Sequence, residues 1–88
     1  MKMPAKYKIY LDYAASSPVD PAVFEFMKPY FGERYGNAGS LHSFGADAIA
    51  AVDKARETIA RIIGADFREI IFTGSATEAN NLVLRGVV

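Results

Sequence analysis

Apolar and polar positions change their spacing along this 88-residue chain, and the changes predict its elements. Lys8 to Leu11 (KIYL) predicts a short strand, because Ile and Tyr favour pleated backbone. Asp12 to Pro18 is small and polar, which predicts a loop. Asp20-Pro21 predicts a helix start. Asp caps orphan N–H groups, and Pro loses nothing at the first helical position. Val23, Phe24, Met27, Tyr30 and Phe31 follow on one helical face. Pro29 interrupts them, since it lacks an N–H and clashes with the preceding turn. A kink or an end is expected near Lys28.

Gly32 to Ser43 has three glycines and no periodicity, so it reads as a loop, and loops of that length are often functional. The strongest helical pattern runs from Phe44 to Ile63. Ala48, Val52, Ala55, Ile59 and Ile62 recur at spacings of four and three, with Asp53, Lys54, Arg56, Glu57 and Arg61 between them. Gly64 is a natural stop in the left-handed cap conformation. Glu69 to Thr73 (EIIFT) predicts a second short strand. Gly74 then allows a sharp turn, and a last helix starts near Ser75 and runs through Leu84.

The order is strand, helix, loop, helix, strand, helix. It reads as the opening of an α/β layout, whose parallel strands need crossovers. A returning strand is expected after the last helix. The expected fold is therefore an incomplete α/β domain, mainly helical with two short strands.

Composition narrows the function classes. Hydrophobic residues make up 51% of the chain, which fits a globular protein. A chain this short buries only about 60% of the surface it exposes when unfolded. Cysteine is absent and there is one His, so neither a disulfide nor a metal site is expected. Ten basic and ten acidic residues cancel, with no block of like charge. No clustered Lys and Arg suggest nucleic acid. No apolar run has signal-peptide or membrane-span length. The expectation is a cytoplasmic protein without nucleic-acid or membrane partners.

The candidate chemistry lies at Phe72 to Asn81 (FTGSATEANN). Ser75-Ala76-Thr77-Glu78 fits a capping box, with Ser75 accepting from the Glu78 N–H and Glu78 reaching back to the Ser75 N–H. A strand that passes through glycine into a helix start also holds phosphate in α/β proteins. The first helical N–H groups lack partners, and the helix dipole favours an anion there. Thr77 adds a hydroxyl. Plain capping and phosphate binding both stay open on these residues, and a Glu78 charge turned inward opposes an anion. Neither G-x-x-x-x-G-K-[ST] nor G-x-G-x-x-G is present.

Three segments in order carry a resemblance. Tyr10 to Val23 (YLDYAASSPVDPAV), Gly36 to Gly45 (GNAGSLHSFG) and Gly64 to Gly86 (GADFREIIFTGSATEANNLVLRG) are similar to segments of cysteine desulfurases of the class V aminotransferase family. The resemblance implies the N-terminal part of the large domain of a fold type I enzyme dependent on pyridoxal 5'-phosphate (PLP). Residues 1–88 then belong to an aminotransferase class V domain. Such enzymes, usually homodimers, take sulfur from L-cysteine to leave alanine. They pass a persulfide to acceptors in iron–sulfur cluster or thiolation pathways. The resemblance does not say which acceptor.

By that resemblance, Ala76 and Thr77, with Ser75 beside them, match the residues that bind the PLP phosphate. Ala14 and Ala15 match a segment beside the substrate, where small residues for tight packing are the other reading. His42 lies in the loop motif, as a hydrogen-bonding loop residue or a contact to a partner subunit's site. The chain departs from the family at Gly74-Ser75, where Ser-Gly is common. It departs again at Ala38-Gly39, where Pro-Ser or Pro-Ala is usual, and at Ser16-Ser17 for Thr-Thr. The five lysines, Lys2, Lys6, Lys8, Lys28 and Lys54, match no family site. The Schiff-base lysine and the persulfide cysteine fall past the equivalent of Val88. No catalytic residue is therefore expected in this segment, which is expected to be inactive alone. Another class V enzyme, such as an aminotransferase or selenocysteine lyase, remains an alternative. So does a non-catalytic remnant whose apolar faces at Val23, Phe24, Met27 and at Val52, Ala55, Ile59 need a partner chain.

Overall fold

The computed structural model of the chain describes residues 8–87. Two units make it up, one ending at Tyr35 and one beginning at Gly36.

In the first unit, helix α1 spans Pro21–Met27. Its start is the expected one: the Asp20 carboxylate accepts the Ala22 N–H at 2.8 Å, with Pro21 in the first turn. Its end is also where Pro29 places it. The backbone tightens into a 3-10 turn over Lys28–Phe31, and the Pro29 carbonyl takes the Gly32 and Arg34 N–H groups at 3.2 and 2.8 Å. The strand expected at Lys8 to Leu11 is absent. Strand propensity needs a neighbouring strand to bond, and among the described residues no strand exists to pair with it. Tyr10 instead ties the following turn. Its hydroxyl lies 3.0 Å from the Asp12 carbonyl and 3.1 Å from that of Ser16, and its ring meets Tyr13 edge-on.

The second unit is built on helix α2, Ser43–Ile63. The loop before it folds back on its first turn. Gly45 is buried, and a Cβ there would fall 2.1 Å from the Ser40 carbonyl oxygen. A Cβ on Gly36 would fall 2.3 Å from the Phe44 carbonyl oxygen. Backbone approaches backbone at both points, which only glycine permits. Gly64 ends α2 as expected, at φ 70° and ψ 32°, and the Ala65 N–H returns to the Ala60 carbonyl at 2.8 Å. This closes the helix with a six-to-one bond.

The strand expected at Glu69 to Thr73 is replaced by other structure. Asp66-Phe67-Arg68-Glu69 is itself a capping box and forms a 3-10 turn at Phe67–Glu69. The Asp66 carboxylate accepts the Arg68 N–H at 2.9 Å, and the Glu69 carboxylate accepts the Asp66 N–H at 2.7 Å. Ile70 is extended at φ −98°, ψ 121°, but the segment has no partner strand. Helix α3 then spans Ala76–Val87. The fold is thus mostly helical, with no strand among the described residues.

The apolar pattern outruns the burial available. Among the described residues, Ala60 on α2 is the one buried hydrophobic residue, at 4% exposure. On the face predicted for α2, Val52 is half-buried while Ala55, Ile59 and Ile62 are exposed. On α1, Val23, Phe24 and Met27 are exposed as well. Arg56, expected on the polar side, is half-buried instead.

Candidate functional site

The site is assembled from three short hydrogen-bonded steps between Phe72 and the first turn of α3. The Thr73 hydroxyl donates to the Ser75 carbonyl at 3.0 Å. The Ser75 hydroxyl accepts the Glu78 N–H at 3.1 Å, as the capping box requires. The Glu78 carboxylate reaches back, but to the Gly74 N–H at 2.8 Å rather than to the Ser75 N–H expected. The box is therefore one residue longer than its simplest form. This leaves the Ser75 N–H outside it, next to the Ala76 and Thr77 N–H groups that open α3. Those helical N–H groups have no preceding carbonyl to bond, and the helix dipole adds partial positive charge where they point.

Ser75, Ala76 and Thr77 are all exposed, so these donors are open to a ligand. The Ser75 hydroxyl accepts through its oxygen and keeps its own proton to donate. The Thr77 carbonyl takes the Asn81 side-chain amide at 2.9 Å, which ties the first turn to the second. The donor set suits a small anion. Glu78 sets a limit on that fit: its charge is in the turn, but bonding to Gly74 N–H holds one oxygen at the entry rather than over the α3 amides. Beside the turn an open groove is lined by Ile71, Thr73, Glu78, Asn81, Leu82, Arg85 and Gly86.

The Gly74 backbone is not in the left-handed region, which among the described residues only Gly64 occupies. The sharp turn expected from glycine there is made without it. Behind the turn, the Arg56 guanidinium lies over the rings of both Phe67 and Phe72, at 5.3 and 5.4 Å from their centroids. Spacing alone left Arg56 among the polar residues of α2. The signal for the cluster is a pair of phenylalanines, Phe67 before the β-prone run and Phe72 within it.

The other candidate residues lie elsewhere. Ala14 and Ala15 belong to the first unit, in an exposed turn closed by the Ala15 N–H to the Asp12 carbonyl at 3.0 Å. His42 holds the N-cap position of α2 in extended backbone, and its carbonyl takes the Ala46 N–H at 3.0 Å. Its ring makes no capping bond and stands edge-on to Phe44 at 6.0 Å. No hydrogen bond or ring contact joins His42 to the Gly74 turn among the described residues. No cluster of metal-ligating side chains occurs among them either.

The aminotransferase class-V family model matches residues 9–88. The chain is similar to cysteine desulfurase IscS of Rickettsia akari (strain Hartford), with 56% identity over 80 residues. It is 55% identical to the proteins of the same name from Rickettsia felis and Rickettsia typhi. Each match covers 90% of this chain and 20% of the relative, so the chain spans a small share of their length. No solved structure matches the chain.

Proposed function

We propose, from the premise that this chain belongs to the aminotransferase class-V family, that it is the N-terminal part of a PLP-dependent cysteine desulfurase. In this reading the Gly74 turn holds the cofactor phosphate. The single observation that carries it is the row of exposed, unbonded donors at Ser75, Ala76 and Thr77, set at the start of α3 by the extended capping box. The backbone N–H groups of Ala76 and Thr77 and the hydroxyls of Ser75 and Thr77 are the phosphate donors. When bound, PLP supplies the electron sink for chemistry on an amino acid. This chain's residues anchor and orient the phosphate end. The fold is then the first portion of a fold type I large domain, and the whole enzyme is a cytoplasmic homodimer acting on L-cysteine. The desulfurase names of relatives at 54–56% identity favour that activity over other class V activities.

Pyridoxamine 5'-phosphate is the probe of choice, because it lacks the aldehyde that would react with any lysine. In an amide-resolved NMR titration it is expected to move the Ser75, Ala76 and Thr77 resonances, as is inorganic phosphate. Pyridoxamine without the phosphate is expected to leave them in place. Equal shifts from pyridoxamine and its phosphate, or shifts only at lysines, would sink the reading.

A further inference from the structure

We infer that Arg56 is a positioning residue for the Gly74 turn, acting through the ring of Phe72; the inference rests on reading that turn as a phosphate cradle. Its guanidinium is shared between two rings that belong to two different steps of the path from α2 to α3. Phe67 lies on the 3-10 turn fixed by the Asp66 and Glu69 capping box, and Phe72 lies three residues before Ser75. The Arg56 side chain is 27% exposed, and its Nε is buried with no hydrogen-bond partner. The Asp53 carboxylate is 3.9 Å from a terminal nitrogen, too long for a strong bond. What holds the guanidinium is therefore mainly the two rings, of half-buried Phe67 and of Phe72, which is 45% exposed.

The link from Phe72 to the cradle is short and tied. Thr73 is bonded to Ser75 and Gly74 to Glu78, so little slack remains between the Phe72 ring and the Ala76 N–H. A ring released from Arg56 moves the amides that follow it. Arg56 touches no ligand in this arrangement. From α2, it fixes where the donors at the start of α3 sit.

Arg56→Met keeps the stem and most of the volume but removes the charged plane. It is expected to weaken pyridoxamine 5'-phosphate binding at the turn about tenfold, and to move the ligand-free amide resonances of Ser75 to Thr77. Arg56→Lys keeps a cation against the rings and is expected to recover part of the affinity. Wild-type affinity in Arg56→Met overturns the inference, because packing alone would then suffice. If Arg56→Met does not fold, Phe72→Leu and Arg56→Lys, singly and combined, probe the same stack. Their losses are expected to be less than additive, and full additivity overturns the inference. A wild-type chain that gives no phosphate-dependent shifts removes the cradle reading instead. The ligand-free shifts in the variants then still decide whether Arg56 positions the turn.

Discussion

The second unit holds two glycine-containing turns that differ in what their glycines do. In the turn from Gly36 to Gly45, glycine is forced by contact, since a Cβ at either end would meet a carbonyl oxygen at 2.3 or 2.1 Å. At Gly74 a Cβ would meet only the Glu78 carboxylate, at 3.3 Å, and the backbone needs no positive φ. The first turn is closed by backbone on backbone. The second is closed by side chains and leaves its backbone donors facing outward. A closed turn can brace a helix, and only the open one can offer N–H groups to a ligand.

The sharpest test of that contrast is Gly45→Ala. The Ser40 carbonyl cannot move away without pulling Asn37, whose carbonyl takes the Ser40 N–H at 2.9 Å and would itself lie 2.8 Å from the new carbon. Overpacking a closed site of this kind costs about 3 kcal/mol. Hydrogen exchange at the Ser40 and Ala46 amides reads it locally, and both are expected to lose protection. Unchanged exchange would mean that the loop does not brace α2.

Ser75→Ala is expected to have a smaller effect, because it removes one capping bond and no packing. Loss of the acceptor for the Glu78 N–H costs about 1 kcal/mol of helix stability. Faster exchange at Glu78 and fraying of the first turn of α3, with α2 untouched, is the expected pattern. A loss that spread into α2 would show that the two turns are not independent.

The helices were legible because their signals are local. Asp20-Pro21, Pro29 and Gly64 each set an end by their own backbone chemistry, and each end fell where that chemistry put it. The strands were not, because a strand is a relation between two segments. Lys8 to Leu11 and Glu69 to Thr73 carry strand propensity without a described neighbour to express it. At Glu69 a readable local signal, the box from Asp66, competed with that propensity and took the residue. The capping bond from the Glu78 N–H to the Ser75 hydroxyl was legible from S-x-x-E next to a glycine. The reach of Glu78 to Gly74 was not, since one residue of backbone path decides it. Arg56 was hidden for a similar reason: its partners lie eleven and sixteen residues onward, past the end of α2.

The smallest effect belongs to Gly74→Ala, and it bears on the one departure from the family pattern that touches the site. The resemblance to cysteine desulfurases implies Ser before Gly here, whereas this chain has Gly74-Ser75. If the turn needed glycine for its conformation, moving it by one position would be costly. The backbone at Gly74 has no positive φ, and the only atom in the way ends a flexible side chain. Glu78 has to shift by a few tenths of an ångström while keeping its bond to the residue 74 N–H, which is set by the same carboxylate oxygen. The expected cost is therefore within about 0.5 kcal/mol, the range of an ordinary surface change. Exchange at the residue 74 amide, compared with Glu78 in Ser75→Ala, measures it. A cost near that of Gly45→Ala would erase the difference between the turns. A near-neutral result would mean that glycine at 74 is tolerated rather than required, and that the serine hydroxyl at 75 sets the helix start.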